Sequence, residues 1–461
     1  MGGSGPRSDR LTLAAASLGY FAVILATTVV NVALTRIGAG LGAGVSALQW
    51  VVDAYNLAFA GTLLTAGALG DRLGGRRVLA AGFAVFGAAS LLSAAAPAAG
   101  ALALLQGVAG LGAAMVLPAS MRVLSHAVTG TAERARRIAL WGGSGGAGIA
   151  VGPLAGGLLV GAADWRAVFL LTGGLGLLGL LLSLLCPASA GDRAGSAPGY
   201  GLDLGGQLLA ILGSGALTFA LIEGGDLGWG SAPVLGAFAA AAAAGAAFVA
   251  VERRGRSPML PLGLFRARSF SATAAVGVLL NLGLYGQIFV MALYFERVRG
   301  YSPLLTGLTF LPMTLSVVGA NLLAGRLVTG IGPRRLVVTG LAAAAAGLAA
   351  LATMGPATAY PAMVLPLLAV GGGWGLVVPP LTTALVGSVP PQRIGIAAGV
   401  FNAARQVGGV VGVALFGSLL AGGSFVGGMR VALGIAAAAL LAAGALALGF
   451  IDTRLDAEAA P

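Results

Sequence analysis

Long uncharged runs recur along this chain, and they limit what it can fold into more than any other feature. An α-helix needs roughly 20 apolar residues to cross a bilayer. Fourteen runs meet that length: 11–35, 47–69, 78–97, 101–126, 138–160, 167–187, 204–223, 233–251, 269–292, 304–325, 336–354, 361–386, 394–421 and 428–450. Only 9% of the 461 residues are charged, against about 25% in soluble domains, so a water-facing surface cannot be built at this length. The 79 glycines suit helices whose backbones approach closely inside a membrane. The chain therefore reads as an all-α polytopic membrane protein. Its first apolar run, from Leu11, is too long for a signal-peptide core and lacks a clear small-residue cleavage site, so it reads as a retained helix.

The residue types that are missing exclude much chemistry. All 26 basic residues are arginine, which removes a P-loop lysine and a Schiff-base amine. Cys186 and His126 are the sole cysteine and histidine, so there is no internal disulfide and no Cys/His zinc cluster. No catalytic residue, metal site or cofactor is expected, and the chain does not read as an enzyme. Gly143–Gly148 and Gly174–Gly179 both match G-x-G-x-x-G, yet neither follows a strand within a βαβ unit.

The net charge of +12 comes from arginines clustered between apolar runs, which is a topology signal rather than a nucleic-acid surface. Nineteen arginines fall on one set of loops. Arg36, Arg166, Arg297, Arg299 and Arg430 fall at the opposite ends, and Arg122 and Arg405 lie inside spans. The positive-inside rule then puts both termini in the cytoplasm of a cell-membrane protein.

An internal repeat runs through the chain at an offset near 260 residues. The loop GDRLGGRR at 70–77 is echoed by GRLVTGIGPRR at 325–335, and the glycine-rich helices after Arg137 and Arg393 match, with Gly152 and Gly156 against Gly408 and Gly412. This divides the chain into a six-helix half (1–187), an inserted two-helix region (188–268) and a second six-helix half (269–461). Parallel halves of this kind are the architecture of major facilitator transporters.

The motifs sharpen that reading. They include NVAL ending at Leu34, WVVDAYNLA from Trp50, GALGDRLGGRR from Gly67, GIAVGPLAGG from Gly148 and WRAVF from Trp165. Later come ERRGRSPMLPLGLFRARSF from Glu252, GYSPLLTGLTFLP from Gly300 and RIGIAAGVFNAARQVGGVVGVALFG from Arg393. Nearly end to end, the chain resembles the fourteen-helix drug:proton antiporters of the major facilitator superfamily. The resemblance implies export of amphipathic small molecules by alternating access, with a small-molecule substrate and protons as partners in the lipid bilayer, no nucleic acid and a monomeric state. GPLAGG resembles the family's antiporter signature and points to Gly148, Gly152, Pro153, Gly156 and Gly157. The alternatives are a dedicated or uncoupled exporter of one metabolite, or a lipid translocase.

Single residues carry physical expectations of their own. Asp71, Arg72, Arg76 and Arg77 are a candidate cytoplasmic gate, a breakable latch of hydrogen bonds and ion pairs. Gly148, Gly152 and Gly156 recur every four residues and permit close backbone approach, while Pro153 removes one donor and can kink the helix. Asp53 lies about two turns into its span. A carboxylate desolvated there is expected to hold a proton, with Tyr55 and Asn56 as neighbours and an ion pair to Arg36 as the other reading. Arg405 sits mid-span and must face the bundle or a cavity, either hydrogen-bonding helix carbonyls or lining the substrate path. Asn31, Tyr55, Asn56, Asn281, Tyr285, Gln287, Asn321, Asn402 and Arg405 are the candidate cavity contacts. Ala26 and Gln106 stand where the family usually has an acidic residue and an arginine linked to coupling.

Overall fold

The computed structural model describes residues 6–126, 131–186, 203–255, 260, 262–389, 394–420 and 424–451. Sixteen α-helices account for nearly all of them, and no strand occurs among the described residues. The first stretch comprises α1 (Pro6–Val29), α2 (Leu34–Leu41), α3 (Val45–Leu73), α4 (Gly75–Ala94), α5 (Ala99–His126), α6 (Thr131–Ala162) and α7 (Arg166–Leu185). Two further helices follow, α8 (Leu204–Leu227) and α9 (Ala232–Arg254). The remainder holds α10 (Arg268–Leu293), α11 (Pro303–Thr309), α12 (Leu311–Ile331), α13 (Pro333–Ala352), α14 (Tyr360–Gly387), α15 (Ile394–Leu420) and α16 (Phe425–Phe450).

The fourteen expected spans each find their helix, with ends shifted by a few residues. The first expected span is a composite rod: α1 tightens into a 3-10 turn at Val30–Ala33 and continues as α2. Thirteen helical stretches among the described residues are long and apolar enough to cross a membrane. The remaining expected span, α3, has 29 residues but carries Gln49, Asp53 and Asn56 within its apolar run. Local chemistry sets several helix starts. The Ser302 hydroxyl accepts from Leu305 N (3.2 Å) with Pro303 in the first turn, and the Asp203 carboxylate accepts from Gly206 N (2.8 Å).

Two compact units result, one holding the chain up to Ile211 and the other Leu212–Arg253 and the chain from Leu260. The expected boundary after residue 187 lies outside the described residues. Within the first unit α1 packs on α5, α6 and α7, α3 on α5, and α4 on α5 and α7. Within the second, α10 packs on α14, α15 and α16, α12 on α14, and α13 on α14 and α16. These are the same six pairings, helix for helix, so the sequence repeat is a structural repeat.

The backbone repeats as closely. Gly74 (φ 93°) breaks α3 from α4, and Gly332 (φ 87°) breaks α12 from α13. Gly42 (φ 63°) and Gly300 (φ 66°) make the turns on the other side. Both pairs are separated by the same 258 positions, and all four occupy backbone conformations that side-chain-bearing residues rarely adopt.

Candidate functional site

Helix α3 buries a polar stripe. Gln49, Asp53 and Asn56 are spaced to share one helix face, and they are 0%, 0% and 2% exposed. Among the described residues neither carboxylate oxygen of Asp53 has a hydrogen-bond partner. The expected ion pair with Arg36 is not formed, because Arg36 is exposed and Asp53 is enclosed. Tyr55 and Asn56 do not orient it either. The Tyr55 hydroxyl donates to Val23 O (3.0 Å), and Asn56 Nδ2 donates to Val52 O (3.2 Å), which leaves Asn56 Oδ1 without a donor. Asn31 follows the same pattern: its Nδ2 is spent on Thr27 O and Thr28 O, and Oδ1 has no partner among the described residues. An unpartnered carboxylate enclosed in this way is expensive to keep ionised.

The two departures from the family pattern come together. Ala26 and Gln106 both line one small cavity, with Tyr55, Ser90, Phe86, Phe169 and Thr172. Gln106 is 5% exposed and donates from Nε2 to Ser93 Oγ (3.0 Å). Where the family pattern would set an acid and an arginine, this chain has a methyl group, a neutral amide and a space.

The glycine face of α6 lies on α1. A Cβ added at Gly148 would sit 2.8 Å from Phe21 O, and one at Gly156 would sit 2.6 Å from Val29 O. At Gly152 it would collide with the Thr28 side chain. Thr28 Oγ1 reaches Gly148 O (3.4 Å), Ser144 Oγ donates to Ser17 O (2.9 Å), and Tyr20 stacks on Trp141 at 4.2 Å. Pro153 and Gly157 are buried within the same unbroken helix. The seam recurs between α15 and α10, where Gly408 and Gly412 lie against the carbonyls of Val278 and Leu282.

The second unit gathers some of the expected polar residues and not others. Asn281 is fully buried, and its Oδ1 accepts from Arg405 Nε (3.3 Å). The Arg405 guanidinium lies 5.6 Å over the Phe401 ring. Gln287 is fully buried, with neither amide atom partnered among the described residues. Tyr285 is buried against Gly409. Asn402 caps no neighbour: its Nδ2 donates to Ala398 O (2.9 Å) on its own helix. Asn321 is half-buried on α12. Gln49, Trp374 and Gln406 were missed as sequence candidates. A spacing of four from Asp53 could have found Gln49; nothing local marks Trp374 or Gln406, whose Nε1 and Nε2 are buried without acceptors.

Of the candidate gate residues, Arg76 grips the end of α7, donating to Ser183 O (3.1 Å) and Leu184 O (2.5 Å). Arg72 and Arg77 are exposed. The side chain of Asp71 lies outside the described residues, as does that of His126.

The sequence pattern of the Major Facilitator Superfamily matches residues 16–413. The methylenomycin A resistance protein of Streptomyces coelicolor is 36% identical over 408 residues, 88% of this chain and 85% of that protein. The puromycin resistance protein of Streptomyces alboniger is 37% identical over 456 residues, 94% and 90% of the two chains. The xylose transporter XylE from E. coli superposes with a TM-score of 0.65 over 97% of this chain and 98% of that one, a likeness of fold alone at 15% identity. With repeated six-helix pairings, thirteen apolar spans and a family pattern covering most of its length, this chain belongs to the Major Facilitator Superfamily and is a multi-pass membrane carrier rather than an enzyme.

Proposed function

We propose that the protein exports amphipathic small molecules from the cytoplasm across the cell membrane in exchange for protons, by alternating access. Relatives named for resistance to methylenomycin A and puromycin align along 88% and 94% of the chain, which supports export. The observation that carries the proton part is Asp53, a wholly buried carboxylate whose two oxygens have no partner among the described residues. Intramembrane ionisable groups without a structural partner mark ion pathways. In this reading the working unit is a monomer in the lipid bilayer, with no nucleic-acid partner and both termini cytoplasmic. The six-helix halves are 1–187 and 269–461, and 188–268 forms the inserted pair. The α6 glycine face with Pro153 seals the closed state, and the loop from Asp71 to Arg77 latches the cytoplasmic side.

One titrating group carries about one proton per cycle. Exchange for a neutral compound then moves one charge, worth about 2.3 kcal/mol per 100 mV, while exchange for a monovalent cation moves none. The test is transport by the purified protein in vesicles, against cationic, neutral and anionic compounds under an imposed pH gradient. Accumulation that collapses with the gradient supports the reading, and no transport of any compound refutes it. Transport indifferent to the gradient favours a second reading, an uncoupled exporter of one metabolite. The specific observation behind that second reading is the uncharged cavity around Ala26 and Gln106. Reporter fusions at both ends and at the loop before Arg268 check the topology; an external C-terminus overturns it.

A further inference from the structure

Arg405 carries a charge that its own half of the molecule does not neutralise. It lies mid-way along α15, and between Arg297 and Ile451 the sequence has no acidic residue. Glu296, the nearest acid in sequence on the facing helix rod, is on the order of 20 Å along the axis from Asn281. An arginine at that depth is costly unless something answers it. What answers it among the described residues is modest: Asn281 Oδ1 on Nε, and the face of Phe401. Both hold the guanidinium in place and leave its two terminal nitrogens to be used. The side chain is only partly buried, so those nitrogens are reachable.

The partner of Arg405 points the same way. Because Asn281 Oδ1 accepts from Nε, its Nδ2 is left over, and that nitrogen is buried with no acceptor among the described residues. A buried donor without an acceptor costs free energy that a ligand can recover. An arginine fork and an amide N–H2 on one small island are donors only, and they suit the planar, two-oxygen geometry of a carboxylate.

We propose that Arg405 and Asn281 form an anion-receiving site, which takes the carboxylate-like head of an amphipathic substrate. This rests on the export reading above and adds a substrate class to it. Asn281 is a positioning residue for Arg405 as well as a second donor.

The experiment uses three probes that share one ring system and differ in head group: naphthoate, naphthylmethanol and naphthylmethylammonium. Equilibrium binding to the purified full-length protein is measured for the wild type, Arg405→Gln, Arg405→Lys and Asn281→Asp. The last variant supplies an internal carboxylate beside the guanidinium and competes with a bound anion while keeping the hydrogen bond, so it decides the matter if Arg405→Gln fails to fold. The expected result is naphthoate binding about tenfold tighter than naphthylmethanol, the effect of one charge-assisted hydrogen bond. Arg405→Gln and Asn281→Asp erase that preference, so that both probes bind alike, and Arg405→Lys keeps part of it. Naphthoate binding no tighter than naphthylmethanol in the wild type overturns the proposal, as does a preference that survives Asn281→Asp. Vesicle export of the neutral probe without any naphthoate preference defeats this inference and spares the export reading. A naphthoate preference with no export of any probe does the reverse.

Discussion

Among the described residues the first half of the molecule leaves buried acceptors without donors at Asn31 Oδ1, both oxygens of Asp53 and Asn56 Oδ1. The second, among the same residues, leaves Asn281 Nδ2, Trp374 Nε1 and Gln406 Nε2 as buried donors without acceptors, and both amide atoms of Gln287 without partners. The frames that carry them are alike: six identical helix pairings, two pairs of left-handed glycines at one offset, and a glycine seam between the first and fifth helices of each half. The repeated frame is thus set by small residues and turns, while the polar side chains mounted on it differ, with a carboxylate in the first half and a guanidinium in the second. Each unanswered polar atom costs about 1–3 kcal/mol.

The largest expected effect tests whether the two seams are equivalent. Gly152→Leu drives a side chain into Thr28, and Gly412→Leu drives one into the Leu282 backbone, so each should abolish export in the vesicle assay. Overpacking of this kind costs roughly 1–3 kcal/mol and sometimes more. Gly146→Leu on α6 faces open space and should leave export intact. An active Gly412→Leu protein would show that only the first seam is under functional strain.

A smaller effect separates the two kinds of polar site. Asp53→Asn cannot titrate, so accumulation should lose its dependence on the pH gradient. One proton moving down one pH unit is worth about 1.4 kcal/mol, so the loss is about tenfold in accumulation ratio per unit of gradient. Arg405→Lys keeps its charge and should preserve the pH dependence. If Asp53→Asn accumulates substrate with the wild-type pH dependence, the proton site lies elsewhere.

The smallest effect concerns a difference at the gate loops. Arg76 holds two carbonyls at the end of α7, whereas its repeat counterpart Arg334 makes no such bond among the described residues. Arg76→Ala should lower thermal stability by about 1 kcal/mol, since the contact is partly exposed, and Arg334→Ala should fall within about 0.5 kcal/mol of the wild type. Equal losses, measured by thermal unfolding in detergent, would mean that the two loops are held alike.

Much of this was legible in the residues alone. Run length and the scarcity of charge determine the number, length and order of the membrane helices, because an uncharged run of that size has one stable home. The glycine-rich loops and helices reveal the repeat, and Asp53 and Arg405 are conspicuous because charge is rare in a span. The partners of those residues were not legible. That Arg36 is exposed while Asp53 is enclosed, that Arg405 meets Asn281 across 124 positions, and that Ala26 and Gln106 share one cavity all depend on how helices distant in the chain lie against each other. Hydrophobicity is a property of each segment and survives any arrangement of the bundle. Hydrogen bonding is directional and short-ranged, so which buried donors and acceptors remain unanswered was decided only when the helices packed.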